Sequence, residues 1–482
     1  MQVKSNPDEI ESFLSDASFI RDGHADRVVL PENIDDVSET LARANRDRVP
    51  VTVSGAGTGT VGGRVAYGGI VLATDKLNDI KSIVHEDGGG SALVEAGVIL
   101  ADLQSAVDQQ GLLYPPDPTE RGCFIGGTVA TNASGARTFK YGPTRNYIRR
   151  LEIVLASGEV IDLRRGDVRA DAQRRLRIGQ SIELTLPDYQ RPATRKNASG
   201  YFIAPEMDAI DLFIGSEGTL GVICEVEVGL LRKPEGLLSG VVFFANEADV
   251  LAFVAETRKR ATARAIEFFD NESLNFLREK YPTVPQSAVA AIFFEQETTE
   301  ATEEMVLNDW ITLLDQQHAL PDSWFATNEQ DQAKLREFRH QLPVLMNEWF
   351  ARYKQRKVST DMAVPDNAFP GLFRLYKYTL RSSGLRYTIF GHIGDNHVHV
   401  NILPRDEAEA ERARELYLQF LKYAASVGGT LSAEHGVGKL KRDYLRLFYT
   451  DEQLFAMATV KKTLDPNGIL GRGNIFPEQF LS

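Results

Sequence analysis

Three separated glycine-rich segments in the first half of the chain restrict the folds that it can adopt. They read SGAGTGTVGG (residues 54–63), IGGTVATNASGA (125–136) and LFIGSEGTLG (212–221). Each glycine raises the conformational entropy that a chain loses on folding, so three such segments are costly as ordinary loops. Their backbone N–H groups and their hydroxyl and amide side chains suit a long ligand that carries phosphate and hydroxyl groups. The segments therefore predict a domain that binds one large ligand.

The first glycine segment lies between two predicted strands. It follows the β-branched run VPVTV and leads into a second strand, IVLAT, instead of a helix. A dinucleotide-binding Rossmann unit needs its glycine motif to open a helix, and an ATP-type P-loop ends in Lys-Ser or Lys-Thr. The segment meets neither requirement, so it predicts an anion site of a different kind.

The stretch LLRKPEG, residues 230–236, divides the chain into two predicted domains, 1–233 and 234–482. Its proline and glycine close the strand-rich half. The second half alternates strands such as SGVVFFA and YTIFGHI with amphipathic helices, which is typical of an α+β domain with an antiparallel sheet. Residues 461–476 are expected to pack back onto the body as a tail.

The overall composition excludes several classes of function. The 482-residue chain is 43% hydrophobic and 25% charged, as in soluble globular proteins. A formal net charge of -13 argues against nucleic acid or an anionic membrane surface as the main partner. The sequence contains no signal-peptide pattern and no apolar run long enough to span a bilayer. We expect a cytoplasmic enzyme without a transmembrane segment, and peripheral attachment to a membrane stays open.

Three of the eight histidines lie in one stretch, GHIGDNHVHVN, at His392, His397 and His399. Strand alternation places His397 and His399 on one face, where residues i and i+2 can chelate a metal. A turn at GDN would instead bring His392 and His399 together, and the periodicity does not decide between the two pairs. A solvated strand face is the alternative to a metal site.

A second polar patch, SAEHGVG, contributes Glu434 and His435. Two histidines and one carboxylate form the ligand set of a catalytic zinc that keeps an open coordination position. An adjacent neutral histidine could remove a proton from an alcohol near neutral pH. The helix segment KLREFRHQLP supplies Arg336 and Arg339, either of which could bind a substrate carboxylate through a bidentate contact.

The glycine segments, taken with PPDPT and KNASGY, resemble the FAD-binding domain of the vanillyl-alcohol oxidase/p-cresol methylhydroxylase (PCMH) superfamily. The resemblance implies an α+β fold with a two-part PCMH-type FAD-binding domain, a cap domain with an antiparallel sheet and helices, and a tail that returns to the flavin domain. It implies that the FAD diphosphate is held by Gly55, Ala56, Gly57, Thr58 and Gly59. The rest of the FAD would be lined by Pro116, Asp117, Gly127, Thr128, Asn132, Ser134, Gly135 and Val222. The glycine loop contains no histidine, so the FAD is expected to be noncovalent.

GHIGDNHVHVN and SAEHGVG resemble the C-terminal domain of the FAD-linked D-2-hydroxyacid dehydrogenases, which act on D-lactate, D-2-hydroxyglutarate or glycolate. The resemblance implies that His392, His399 and Glu434 bind a divalent metal, expected to be zinc, and that His435 is the catalytic base. It also favours Arg339 as the catalytic arginine that binds the substrate carboxylate.

Three positions depart from the patterns of that group. His397 stands where the group usually has asparagine, and Asn474 stands where the motif DPxxILNPGKIF has lysine. Ser359 occupies the place of a lysine typical of the hydroxyglutarate branch, and KVSTDMAVP resembles the D-lactate branch. D-lactate is therefore the expected substrate, with Lys357 a weaker candidate for a substrate contact.

The sequence thus predicts FAD-dependent oxidation of a D-2-hydroxy acid to the 2-oxo acid. The electron acceptor is expected to be a quinone, a cytochrome, an electron-transfer flavoprotein or oxygen. Alternatives are a metal-free flavin oxidase or an alkyl-glycerone-phosphate-synthase-like enzyme of the same fold, a zinc hydrolase with a nucleotide-binding regulatory domain, and a non-catalytic flavin sensor.

Overall fold

The computed structural model describes residues 1–179 and 182–481. Up to Arg232 the strands are, in chain order, β1 (Gln2–Lys4), β2 (Arg27–Leu30), β3 (Val51–Ser54), β4 (Ile70–Ala73), β5 (Ile80–Glu86), β6 (Gly89–Glu95), β7 (Leu112–Leu113), β8 (Ile148–Val154), β9 (Val160–Arg164), β10 (Arg175–Ile178), β11 (Ile182–Thr185) and β12 (Val222–Arg232). The helices are α1 (Pro7–Ile10), α2 (Ile34–Asp47), α3 (Leu100–Asp108), α4 (Ile125–Ala130), α5 (Thr138–Tyr141) and α6 (Ile210–Phe213).

These strands form two sheets and a separate hairpin. The first sheet has the order β1-β2-β4-β3, with β4 parallel to both β2 and β3. The second is antiparallel, has the order β5-β6-β12-β8-β9 and adds β7 beside β12. Strands β10 and β11 form the hairpin. The first glycine segment directly follows β3, at the edge of the parallel strands.

The remaining strands are β13 (Gly236–Phe244), β14 (Ala263–Asp270), β15 (Ala290–Thr298), β16 (Trp324–Ala326), β17 (Val358–Ser359), β18 (Tyr387–Gly391) and β19 (His399–Ile402). The helices are α7 (Glu247–Arg260), α8 (Asn271–Arg278), α9 (Glu303–Gln316), α10 (Glu329–Tyr353), α11 (Phe369–Ser383), α12 (Glu407–Ser426) and α13 (Asp451–Leu464). Short 3-10 turns lie at Glu11–Phe13, Thr74–Lys76, Thr144–Tyr147, Ile393–Asp395, Arg442–Leu447 and Glu478–Phe480. The seven strands form one antiparallel sheet in the order β16-β13-β15-β14-β18-β19-β17.

The central strands of this sheet are buried on both faces. Along β13, Val242 and Phe244 pack in one apolar core, while Val241 and Phe243 pack in another. Alternate side chains of a strand point to opposite faces, so a strand covered on both sides reads as a continuous apolar run. Helix α10 covers the second core through residues that include Phe338.

The C-terminal tail returns to the first sheet. The N–H of Val51 donates to the carbonyl of Ile469 at 2.8 Å, and the N–H of Gly471 donates to the carbonyl of Val51 at 2.9 Å. Leu470 is buried in the core that contains Leu41 of α2. The α+β fold class and the returning tail are confirmed, while the division at residues 233 and 234 stays a prediction. No helix in the described residues combines the length and the apolar character needed to cross a membrane.

Candidate active site at the histidine cluster

The β18–β19 hairpin brings His392 and His399 to the same end of the sheet. The strands pair antiparallel, with Phe390 opposite His399. A 3-10 turn joins them, and Asn396 ends it with a φ of 54°. Gly391 has a φ of 121°, and a Cβ there would lie 3.1 Å from the His399 ring. The GDN stretch therefore makes the turn that one of the two sequence interpretations required.

A carboxylate from a distant part of the chain completes the cluster. Oε2 of Glu434 lies 3.1 Å from Nε2 of His392, 3.4 Å from Nε2 of His399 and 3.8 Å from Nδ1 of His397. One ligand atom from each of these four residues lies within 4.8 Å of all the others. Imidazole nitrogens and a carboxylate oxygen are the donors that a divalent zinc or a similar ion accepts. The residues fit a metal ion.

The protein holds the other carboxylate oxygen of Glu434. Oε1 accepts hydrogen bonds from Oγ of Ser134 at 2.8 Å and from Nζ of Lys196 at 2.7 Å. Lys196 is fully buried and also lies 3.2 Å from a carboxylate oxygen of Asp395. Because Oε1 is held in this way, Glu434 presents Oε2 to the histidines. Glu434 is thereby tied to the second glycine segment, which contains Ser134.

The two histidines are oriented by partners on their outer nitrogens. Nδ1 of His392 lies 2.7 Å from Oε1 of Glu267, and Nδ1 of His399 donates to the carbonyl of Thr360 at 2.9 Å. Such partners fix the ring orientation of metal-binding histidines. Burial lowers the pKa of His392, but the carboxylates of Glu267 and Glu434 outweigh it and raise the pKa to about 9. The cluster therefore has a negative potential that suits a cation.

Glu267 is a functional candidate that the sequence analysis missed. It is a buried carboxylate in β14, whose other residues are mostly apolar. Burial alone would raise its pKa, but the charges of His392 and Arg339 lower it to about 2. The same strand also contains Arg264 and Asp270, so its sequence offered no signal that sets Glu267 apart.

A second carboxylate, Asp361, holds His435. Its Oδ2 lies 3.2 Å from Nδ1 of His435 and accepts the backbone N–H of the same residue at 3.1 Å. Lys441 donates to the same oxygen at 2.6 Å, and Ser432 also donates to it. The ring of His435 stacks on that of His399 with centroids 5.4 Å apart. With Nδ1 facing Asp361, Nε2 of His435 is the nitrogen that is left to accept a proton. The sequence analysis did not assign Asp361 a role.

The predicted substrate arginine contacts the same cluster through Glu267. Nε and Nη2 of Arg339 donate to Oε2 of Glu267 at 3.1 and 2.8 Å, and Nη1 lies 2.7 Å from Nε2 of His340. The side chain of Arg339 is only 10% exposed. Arg336, the other candidate, is 37% exposed and lies 3.7 Å from Glu295. The structure thus brings Arg339 toward the histidines and leaves Arg336 outside their contacts.

The predicted FAD residues lie in the first and second glycine segments, at Pro116 and Asp117 ahead of the second segment, and at the start of β12. Residues 55–59 form a bend after β3, Gly127 and Thr128 lie in α4, and Val222 begins β12. A Cβ at Gly59 or Gly127 would meet nothing within 4 Å, so both positions face open space. Such bare backbone suits close approach of a diphosphate.

The second glycine segment leads from these positions to the histidines. Asp117 lies 3.3 Å from Arg137, and the carbonyl of Pro116 accepts a hydrogen bond from Gln104 at 3.0 Å. The carbonyl of Gly135 accepts from Lys196 at 3.1 Å. A cavity of about 250 Å³ is bordered by Asn132, Ser134, Lys196 and Ala433, among others. The open glycine backbone and this cavity leave room in which these residues could hold a cofactor.

Comparison with known protein families agrees with this arrangement. Residues 25–164 match the model of an FAD binding domain, and residues 233–475 match that of the C-terminal domain of FAD linked oxidases. The second match covers the histidine cluster, and the first covers two of the three glycine segments. The chain belongs to the FAD-linked oxidase family.

Curated relatives of this family match over nearly the whole chain. Glycolate oxidase subunit GlcD of Bacillus subtilis is 30% identical, and the alignment covers 94% of this chain and 89% of the relative. D-lactate dehydrogenase of Anaerostipes hadrus is 30% identical over 97% and 93%. D-2-hydroxyglutarate dehydrogenase of Xanthomonas citri pv. viticola is 30% identical over 99% and 94%. The resemblance inferred from the sequence is confirmed: the protein is an FAD-dependent oxidoreductase of the 2-hydroxy acid dehydrogenase group.

A solved structure of an alkyldihydroxyacetonephosphate synthase shares the fold. It superposes with a TM-score of 0.69 over 98% of this chain and 82% of that chain, at 16% sequence identity. At this identity the likeness concerns architecture alone, because one fold hosts different chemistries.

Proposed function

We propose that this FAD-linked oxidase oxidises D-lactate to its 2-oxo acid with the help of a divalent metal, most simply zinc. The observation that carries the proposal is the convergence of His392 and His399 on one free oxygen of Glu434. The names of the relatives, which include a D-lactate dehydrogenase, support the substrate class. Ser359, an uncharged residue at the place of a hydroxyglutarate-branch lysine, favours the smaller acid.

His392, His399 and Glu434 would hold the metal through Nε2, Nε2 and Oε2. When bound there, the metal would supply a Lewis acid that lowers the pKa of the substrate hydroxyl. Glu267 and Thr360 keep both imidazoles in the tautomer that presents Nε2 inward. Lys196 and Ser134 keep Glu434 from rotating its second oxygen into the site.

His435 is proposed as the base that takes the hydroxyl proton on Nε2. Asp361 orients the ring through Nδ1 and stabilises the protonated imidazole that results. The side chain of His435 is 37% exposed, whereas His397 is fully buried. Among the histidines of the cluster, His435 is therefore the one with the freest access to substrate.

Arg339 is proposed to bind the substrate carboxylate. Glu267 accepts from Nε and Nη2, and Nη1 faces His340, so one N–H on each of Nη1 and Nη2 remains for a substrate carboxylate. A carboxylate there would meet a guanidinium whose direction is already set by an ion pair, which reduces the entropy lost on binding. The pairing with Glu267 also links the substrate site to His392.

The cofactor completes the proposal. When bound, FAD would supply the acceptor for the hydride of the substrate Cα. The protein would orient the substrate and supply the charges around it. We propose that FAD binds noncovalently along the 1–233 domain, with residues 55–59 on its diphosphate, and that the 234–482 domain caps it. A quinone, a cytochrome or an electron-transfer flavoprotein would then reoxidise it.

Anaerobic stopped-flow reduction tests this function. The protein, loaded with FAD and zinc, is mixed with D-lactate, L-lactate, D-2-hydroxyglutarate and glycolate while flavin absorbance is followed. D-lactate should bleach the flavin fastest and L-lactate should not. Faster reduction by D-2-hydroxyglutarate or glycolate would contradict the choice of acid, and a yellow protein inert to all four would contradict the function itself.

Two histidine variants test the base in the same assay. His435→Asn should keep FAD and metal but lose rapid reduction, because it lacks the accepting nitrogen. His85→Asn changes an exposed histidine in β5 and is the matched control. Unchanged reduction by His435→Asn would refute the base.

A further inference from the structure

Lys439 holds a positive charge among neutral oxygens. Its Nζ donates to Oδ1 of Asn474 at 2.7 Å and lies 3.4 and 3.5 Å from the carbonyls of Gly62 and Gly63. No carboxylate lies within 4 Å of this ammonium in the described residues. By contrast, every buried lysine among the described residues contacts a carboxylate. These lysines are Lys196, Lys377, Lys441 and Lys461. A half-buried ammonium with only carbonyl and amide partners can still take an anion.

The backbone around Lys439 fixes its position between two parts of the proposed site. Its N–H donates to the carbonyl of Val61 at 2.9 Å, beside the glycine loop. The preceding residues are clamped by Glu217, which accepts the N–H groups of Val437 at 2.7 Å and Gly438 at 2.6 Å. Lys439 follows His435 by only four residues. Lys439 therefore lies between the first glycine segment and the proposed base.

Asn474 is the side-chain partner of this lysine. Its Nδ2 donates to the carbonyls of Gly63 at 2.8 Å and Glu217 at 3.2 Å, which leaves Oδ1 to accept from Lys439. In the motif DPxxILNPGKIF the corresponding position is a lysine. Here the neutral amide of Asn474 links the first and third glycine segments through these hydrogen bonds. The positive charge nearby is that of Lys439.

We propose that Lys439 faces the flavin end of the FAD and stabilises its reduced form, in place of a lysine at position 474. Reduced FAD that has lost its N1 proton carries one more negative charge than oxidised FAD. A fixed ammonium lowers its free energy more than that of the oxidised cofactor, so the reduction potential rises. The inference rests on the FAD of the proposed function but not on the identity of the hydroxy acid.

A charge-swap series tests the inference. The flavin midpoint potential is measured by dye-coupled redox titration, and FAD affinity by flavin fluorescence, for the wild type, Lys439→Gln and the double variant Lys439→Gln/Asn474→Lys. Lys439→Gln should lose about tenfold in affinity for reduced relative to oxidised FAD, which is about 30 mV for a two-electron couple. The double variant should recover the potential, since its new ammonium starts from the residue that Lys439 contacts.

Two further variants separate charge from structure. Lys439→Arg keeps the charge and should keep the potential, and Lys422→Gln makes the same net-charge change on the exposed side of α12. An unchanged potential in Lys439→Gln, or equal loss of affinity for both forms of FAD, would overturn the inference in favour of a structural or diphosphate role. The titration uses no hydroxy acid, so the measured midpoint potential tests the inference even if the proposed substrate is wrong.

Discussion

Two buried carboxylates in the histidine cluster, Glu434 and Asp361, have different surroundings and therefore different roles. The two oxygens of Glu434 have different partners: Ser134 and Lys196 donate to Oε1, and Oε2 faces imidazoles. Asp361 concentrates its strong contacts on Oδ2, which takes an ammonium, a hydroxyl and a backbone N–H. An imidazole can offer a lone pair to a metal, whereas an ammonium cannot. The first arrangement is suited to binding an ion, and the second to holding a histidine.

His397 lies between the two carboxylates. Its Nε2 is 3.4 Å from Oδ1 of Asp361, and its Nδ1 is 3.8 Å from Oε2 of Glu434. Neither ring nitrogen has a hydrogen-bond partner in the described residues. Burial, followed by the charge of His399, lowers the pKa of His397 to about 3. The ring is therefore neutral, and it lies between the proposed metal ligand Glu434 and Asp361, the carboxylate that holds His435.

The largest expected effect comes from Glu434→Gln. The amide can still accept at Oε1 from Ser134 and Lys196, but it removes the charge that faces His392 and His399. Zinc content, measured by atomic spectrometry, should fall, and flavin reduction should slow by more than about 100-fold, because even partners outside the ligand set cost roughly 10- to 100-fold. Retention of full zinc and rate would show that the cluster is not the metal site.

Asp361→Asn should impair the proposed base His435 without removing the metal ligands. Metal content should stay, while flavin reduction slows on the order of 100-fold because His435 loses its orienting partner. The buried Lys441 also loses its counter-charge, which costs on the order of 3 kcal/mol in unfolding free energy. The double variant Asp361→Asn/Lys441→Met should recover stability but not rate. Recovery of both would mean that Asp361 acts on folding alone.

The sequence indicated the parts of this proposed site that depend on local order, although it left the GDN turn as one of two interpretations. The glycine segments, the GDN turn and the Glu434–His435 pair are contiguous, and their chemistry can be read from neighbouring residues. Glu267 and Asp361 could not be identified in this way. Each contacts the histidine that it orients but is distant from it in the sequence. Their roles arise from tertiary contacts, and a buried acidic residue taken by itself has no distinctive sequence pattern.

Glu217 extends the comparison to a buried carboxylate that contacts no cation among the residues that the structure describes. It accepts two backbone N–H groups, with Lys439 and Lys441 as the nearby charges, and burial raises its pKa from 4.5 to about 7. The folded state then binds the proton more tightly than the unfolded chain. This stabilisation is fully present below about pH 4.5 and is lost as pH rises through 7.

The measurement is the pH dependence of unfolding free energy for the wild type and Glu217→Gln. The wild type should lose on the order of 3 kcal/mol more than the variant between pH 4.5 and 8, since the amide of the variant does not ionise. Denaturant unfolding at each pH gives both curves. Parallel curves would mean that the backbone donors stabilise the charged carboxylate fully, so that it needs no cation.

The smallest effect is expected from His397→Asn, which installs the residue usual in the related motif. The ring of His397 makes no hydrogen bond within the described part of the chain, so its loss should change zinc content little and flavin reduction by no more than a few-fold. A neutral asparagine still separates Glu434 from Asp361, and the shorter side chain leaves a small cavity that costs on the order of 1 kcal/mol. Loss of zinc in this variant would instead make His397 a metal ligand. The ion would then contact a ring that lies 3.4 Å from Asp361, and the two carboxylates would form a single electrostatic unit.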